Sequence, residues 1–429
     1  MEDQTISECE DTLSESQEKM LASFAWWLET PSYLVVGLIG FTLNTLAMWI
    51  LLMPNMWGNF FNRILLCLSA YDSAFILCGL LEIFRKWLQF PVQQYLFAHV
   101  FYPFRSMAMC CSIYSTLVLT LERYQAITSP IQYRNRSANM TLGKRLFIYI
   151  APVTFISFLY YLPKFFDLYI DQIPKCTNDT INVNGTISDE SLKLDNHNSD
   201  CETSYEIRPT DLRLQHQYIV WYLNVSNLLV TCVIPIGLLI FMNCRIATSL
   251  NEYRQRRPCG NSKPNESISD KTKNSKANKD IKQTFMLFSI VILFVICHSL
   301  RIIMNIAEFL KFQKGEDGTE CKGQIRLWEQ ICMPLSEFLL LFNSSANFFV
   351  YMLFDKAFQK ILREQFSTAL SLCLRIKLLR STQDDIPLGN RIQNTKETEE
   401  AMLQRSAEDQ NETNCGSNLD TVTTVEKCL

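Results

Sequence analysis

The chain has 429 residues, of which 48% are hydrophobic, 12% aromatic and 19% charged, with a formal net charge of −3. That balance offers no basic excess for a polyphosphate, so no nucleic-acid partner is expected. The averages conceal apolar blocks that are hydrophobic nearly all round, which excludes a soluble helical protein, whose helices would each keep a charged face.

In chain order, residues 1–30 form an acidic amino-terminal segment in which Lys19 alone opposes eight carboxylates. No basic stretch precedes an early apolar core, so no cleavable signal peptide is expected. Apolar runs follow at 33–53, 64–84, 95–121, 146–162, 218–242, 284–306 and 333–353. Each meets or approaches the roughly 20 residues that cross the hydrocarbon of a bilayer. The expected fold is therefore an all-α membrane protein, a seven-helix bundle over 31–366. The fourth run is short, and Lys144, Arg145 and Lys164 are expected to snorkel at its ends.

Basic residues cluster after the third run (Arg134, Arg136, Lys144, Arg145), after the fifth (Arg245, Arg254, Arg256, Arg257, Lys276, Lys279, Lys282) and after the seventh (Lys356, Lys360, Arg363). Under the positive-inside rule these connections are cytosolic and the amino terminus is outside, at the plasma membrane. The long acidic connection 164–217 is then external, and its acceptors Asn178 and Asn184 are expected to be glycosylated. The connection 254–280, rich in Ser, Asn and Lys, is expected to be disordered. Residues 354–366 are amphipathic and suit a short interfacial eighth helix, with Cys373 beyond it as a palmitoylation candidate. The tail 367–429 is expected to be cytoplasmic and disordered; its Ser and Thr residues suit phosphorylation by receptor kinases and docking of an arrestin. Of the cysteines, Cys9, Cys176, Cys201, Cys321 and Cys332 fall outside or at the outer rim. Cys176–Cys201 and Cys321–Cys332 are the simplest pairs, one cysteine is left over, and the connectivity stays open.

The polar residues inside the runs carry the functional signal. Asp72 sits mid-run, where an ionisable group normally faces a bundle interior. Glu122-Arg123-Tyr124 closes the third run. Arg123 could simply snorkel there, but Glu122 beside it suggests a releasable ion pair. His298, Arg301, Asn305 and Glu308 recur at three- and four-residue steps and so share one helix face. That stripe must turn from lipid toward the bundle. Arg105 lies five helical turns from Arg123, and Glu82 and Glu337 occupy the outer turns of their runs. Together they would line a polar cavity open to the outside. A ligand-free ion-pair network, Glu82 with Arg105 and Arg301 with Glu337, is the alternative, and both can hold at once.

Several of these strings carry a resemblance. Asn44 in its Gly-Phe-Thr-Leu-Asn context, Leu68-Ser69-Ala70-Tyr71-Asp72, Glu122-Arg123-Tyr124 followed by Pro130, Pro235, Cys297 and Asn347-Phe348-Phe349-Val350-Tyr351 fall one set per span. In this order they resemble the rhodopsin-like G-protein-coupled receptors across nearly all of 33–366. Departures stand beside the matches. Phe348 replaces the seventh-span proline, and His298 and Leu300 replace the sixth-span tryptophan and proline. Ala98 stands where the third span usually carries its disulfide cysteine, which favours Cys176–Cys201. Cys297-His298-Ser299-Leu300-Arg301, Tyr161 to Phe166 and Asn343 to Phe348 further resemble invertebrate FMRFamide-type neuropeptide receptors.

The resemblance implies a receptor for a short extracellular peptide, of Arg-Phe-amide type, coupled to a heterotrimeric G protein. It implies ligand contacts at Glu82, Arg105, His298, Arg301, Asn305, Glu308 and Glu337, and an activation switch at Glu122, Arg123, Tyr124, Asn347 and Tyr351. It also implies an allosteric sodium ion among Asp72, Ser112, Asn343 and Asn347, with a water-bridged or protonated polar network as the other reading. No other cofactor is expected. A transporter or channel would use the same buried charges as a path, but no inverted repeat is visible. An enzyme is not expected, since no metal-protease, serine-hydrolase or phosphate-loop motif occurs.

Overall fold

The computed structural model describes residues 15–88, 90–176, 201–255, 268–314, 327–368 and 371. Asn178, Asn184, Cys9, Cys321, Cys373 and the distal tail lie outside the described residues. Seven helices are long and apolar enough to cross a membrane: Ser16–Leu51, Phe60–Trp87, Pro91–Thr128, Leu142–Phe166, Tyr218–Glu252, Thr284–Leu310 and Gln330–Phe354. Seven crossings put the start of the first span and the end of the seventh on opposite faces, here termed the N side and the C side.

Local chemistry sets where these helices begin and bend. Prolines open helices at Pro54, Pro91 and Pro130, where the missing N–H is not needed. Thr141 caps the fourth span by accepting from the Lys144 amide at 3.4 Å. Wide π-helical turns cover Leu28–Ser32, Phe97–Phe101, Tyr218–Ser226 and Leu229–Val233. Three of them contain or shortly precede Pro31, Pro103 and Pro235, whose rings clash with the carbonyl four residues back, and the extra residue per turn relieves that clash.

The spans pack around the third. It buries 61% of its apolar window and the second span 56%, against 17% for the fourth, which therefore sits at the periphery facing lipid. The core lies between the first, second, third and seventh spans (Tyr33, Phe75, Ile76, Leu80, Ile83, Ala108, Leu340, Leu341) and between the third, fifth and sixth (Ile113, Leu239, Val291, Phe294). Small residues permit the closest approach. A Cβ at Gly40 would overlap Ser345, whose Cα is 3.2 Å away, so the first and seventh spans touch only because Gly40 has none.

Three expectations are corrected, and one connection carries structure that the sequence did not suggest. The first span starts at Ser16 rather than near 33, so its 36 residues run about 54 Å and project beyond the hydrocarbon. The sixth helix begins at Ile268, inside the connection expected to be disordered, because Ile268–Lys314 contains neither proline nor glycine to stop it. The connection after the fourth span is not structureless. Strand β1 (Leu168–Cys176) pairs antiparallel with β2 (Cys201–Pro209), in a register that sets Cys176 opposite Cys201. Arg145 and Lys164 do not snorkel: Arg145 is 2% exposed and Lys164 turns inward. After the seventh span, Asp355 accepts from the Ala357 and Phe358 amides at 2.9 and 3.3 Å and starts a helix over 356–368.

Candidate ligand cavity and its polar network

On the C side, Glu122 is fully buried and its Oε2 lies 2.6 Å from Arg123 Nε. The N–H does not point along that line, so the contact is ionic without hydrogen-bond geometry. The guanidinium also covers the Phe61 ring at 4.3 Å. The other carboxylate oxygen accepts from Tyr133 at 2.5 Å, across from the short helix Pro130–Ala138. Burial, then the neighbouring Glu122 carboxylate, push the Tyr133 phenol up, so it keeps its proton and donates. Arg145 in turn lies over Tyr133 at 4.6 Å and over Phe60 at 4.0 Å, and bonds Ser137 at 3.0 Å. Tyr124 is half-buried, and Tyr351 is 1% exposed against Phe358.

Midway through the bundle Asp72 is fully buried and accepts from Ser112 at 2.6 Å and from Asn347 at 2.7 Å. Asn343 is half-buried and makes no hydrogen bond to Asp72. Asn44 ties in by donating to the Ser344 carbonyl at 2.9 Å. The buried oxygens of Ser69 and of the Asn44 side chain have no partner among the described residues. With the carboxylate they form a hard-oxygen set whose chemistry fits a monovalent cation. Ser112 and Asn347 also satisfy the carboxylate without one.

Toward the N side the interior becomes charged. Arg105 donates to Glu337 at 2.8 Å, to Glu82 at 3.3 Å and to the Tyr33 hydroxyl at 3.3 Å. Arg301 donates to the other Glu337 oxygen at 2.9 Å. Glu337 is thus clamped between two guanidiniums from the third and sixth spans. These four side chains lie on the inward faces of the second, third, sixth and seventh spans and keep 21–37% of their surface accessible, so the network is not sealed inside the bundle. His298 is 1% exposed and stacks on Phe294 at 4.1 Å, Asn305 is half-buried and Glu308 is exposed. Of the sequence-selected residues, Glu82, Arg105, Arg301 and Glu337 form one bonded network, His298 and Asn305 lie beside it, and Glu308 sits outward at the rim.

Sequence reasoning missed several partners. Tyr33 reads as an apolar start of a run, and Asn224, 2% exposed in the fifth span, as an isolated polar residue. Lys164 turns in to donate to Ser106 at 3.0 Å, between the Tyr102 and Tyr161 rings. Beyond it Asp167 is fully buried and accepts from Tyr218 at 2.6 Å, Arg213 at 3.4 Å and Tyr102 at 3.5 Å, joining the base of the β1–β2 hairpin to the third and fifth spans. The only signal for this cluster was its density of tyrosines beside opposite charges.

Seven membrane-length helices around a polar interior that opens toward one face define a multi-pass membrane protein of the receptor-bundle class. The chain belongs to the 7 transmembrane receptor (rhodopsin) family, whose model matches residues 43–351. It is 27% identical over 363 residues to a Drosophila melanogaster protein named FMRFamide receptor, covering 82% of this chain and 56% of that one. It is 20% identical over 336 residues to the Caenorhabditis elegans FMRFamide peptide receptor frpr-18, covering 77% of this chain and 67% of that one. Over 100 residues it is 28% identical to a mouse Mas-related G-protein coupled receptor, member A6. The chain thus spans little more than half the length of the fly relative.

Proposed function

We propose that this chain is a plasma-membrane receptor, amino terminus outside, for a short extracellular neuropeptide of Arg-Phe-amide type, and that it activates a heterotrimeric G protein. The observation that carries this reading is the Arg105–Glu337–Arg301 clamp in a solvent-reached interior, in a chain similar over most of its length to receptors named for FMRFamide. A mixed acid-and-base lining matches peptide chemistry rather than a small amine. Bound agonist would favour one of two bundle arrangements by binding it more tightly. On the cytoplasmic side, opening would part Glu122 from Arg123 and Tyr133, expose a groove between the fifth and sixth helices, and let Tyr351 support the freed Arg123. Both oxygens of Glu337 are engaged, whereas Glu82 accepts from Arg105 through one oxygen, which leaves its other oxygen to a ligand arginine. The tail would serve receptor kinases and arrestin, and a sodium ion at Asp72 would favour the closed arrangement.

The direct test is expression in cells with a promiscuous G protein and a panel of amidated peptides. The expected result is a saturable response to Arg-Phe-amide members. Response only to another peptide class would retain the receptor and discard the ligand assignment; ligand-evoked flux without G-protein activation would favour a transporter.

A further inference from the structure

The cavity is not charge-neutral. Three cations, Arg105, Arg301 and Lys164, face two carboxylates, Glu82 and Glu337, which are already bonded within the network, while beyond Lys164 the charges of Asp167 and Arg213 pair with each other. The surplus is one positive charge, and among the described residues Lys164 has a hydroxyl and two ring faces as its hydrogen-bonding and cation–π partners. The polar atoms left over lean the same way. Arg105 Nε, Arg301 Nε, Asn305 Nδ2 and Asn224 Nδ2 are buried donors with no partner among the described residues, and His298 Nδ1 becomes a fifth in one tautomer. Two of these side chains, His298 and Asn224, are 1% and 2% exposed. Buried donors and an uncompensated cation are costly in a low-dielectric interior, and a matching acceptor recovers that cost. Solvent meets these donors weakly; an anion meets them with charge-assisted bonds.

We infer that the deep end of the cavity, between Arg301, Lys164 and Asn305, is built to receive a carboxylate of the ligand. This rests on the peptide-receptor reading and deepens it: the peptide enters with an acidic side chain innermost, and its Arg-Phe-amide end points outward toward the rim. The arrangement departs from a simple arginine-to-Glu337 pairing, because a ligand arginine at Glu337 would have to displace two resident guanidiniums and would add a second surplus charge.

The test has two arms. In the first, the purified full-length receptor is melted with millimolar phenylacetate or with its neutral isostere phenylacetamide. Phenylacetate is expected to raise the melting temperature saturably and phenylacetamide is not. Lys164→Gln, which leaves the Arg105–Glu337–Arg301 clamp intact, is expected to abolish the rise, as is Arg301→Gln if that variant folds. In the second, peptides are applied in Asp/Asn pairs, each with and without an Arg-Phe-amide end. The acidic member is expected to be more potent by at least about tenfold, and Lys164→Gln to bring the ratio near one. Equal stabilisation by the two small probes, no saturable effect of phenylacetate, or a rise unchanged in Lys164→Gln overturns the inference. An Arg-Phe-amide agonist indifferent to its acid overturns the inference alone. Silence to every Arg-Phe-amide peptide, with phenylacetate still stabilising the wild type, overturns the ligand assignment alone.

Discussion

Tyr133 is the residue on which the Glu122–Arg123 pair depends, and it does not belong to the motif that the sequence advertises. Glu122 has no access to solvent, so one oxygen needs Tyr133 as much as the other needs Arg123. Tyr133→Phe leaves that oxygen buried without its donor, a loss of about 1–3 kcal/mol. If the pair holds the bundle closed, Tyr133→Phe is expected to raise basal G-protein signalling per surface receptor, and Glu122→Gln to raise or preserve it. A fall in basal signalling for both, measured by nucleotide exchange, would remove the latch. The motif itself was legible because an acid at the end of an apolar run is costly there unless the arginine beside it compensates the charge. Tyr133 was not, because its spacing from Glu122 is set by the break at Ser129 and the turn into Pro130–Ala138, which no periodicity encodes.

At the scale of elements, the β1–β2 hairpin is anchored near the outer end of the third span, where Ala98 stands in place of a cysteine. Asp167 does the anchoring, through Tyr218, Arg213 and Tyr102. Asp167→Ala strands these donors and is expected to lower thermal stability by about 1–3 kcal/mol, read as a drop in the melting temperature of purified receptor. Asp167→Asn, which keeps the acceptor and loses the charge, is expected to fall between. The facing register of Cys176 and Cys201 gives a Cα separation of about 4.5–5.5 Å in any antiparallel ladder, within the disulfide range. Non-reducing peptide mapping is expected to recover the two cysteine peptides linked. Cys332 is in no disulfide among the described residues. The seven spans were legible because lipid demands long runs with no polar face, and length alone then counts them. The hairpin was not: its nine-residue strands are largely polar, β1 is interrupted by Pro174, and their pairing crosses a long polar insertion.

For the whole molecule, the decisive feature is that one carboxylate, Glu337, couples the third, sixth and seventh spans through two arginines. The stripe on the sixth span and the isolated charges of the second, third and seventh were readable as inward-facing, since lipid would reject them. Which charges bond was not readable, because helix rotation and depth decide between Glu82–Arg105 and Arg105–Glu337, and the structure makes both. The coupling is testable as a cycle. Glu337→Gln leaves two half-buried guanidiniums facing each other, with Glu82 still on Arg105, and is expected to cost about 1–3 kcal/mol, read as lost surface expression and melting temperature. Arg105→Gln keeps the Arg301–Glu337 pair and is expected to cost less. The double variant removes a charge of each sign, so its loss should fall short of the sum by about 0.5–3 kcal/mol. Strict additivity would mean the two residues do not share a network, and the cavity would then have to be sought between other spans. If they are coupled, any ligand that draws Arg105 or Arg301 off Glu337 changes the packing of three spans at once. That gives binding on one face of the membrane a physical route to the Glu122–Arg123 pair, about 27 Å away along the third helix.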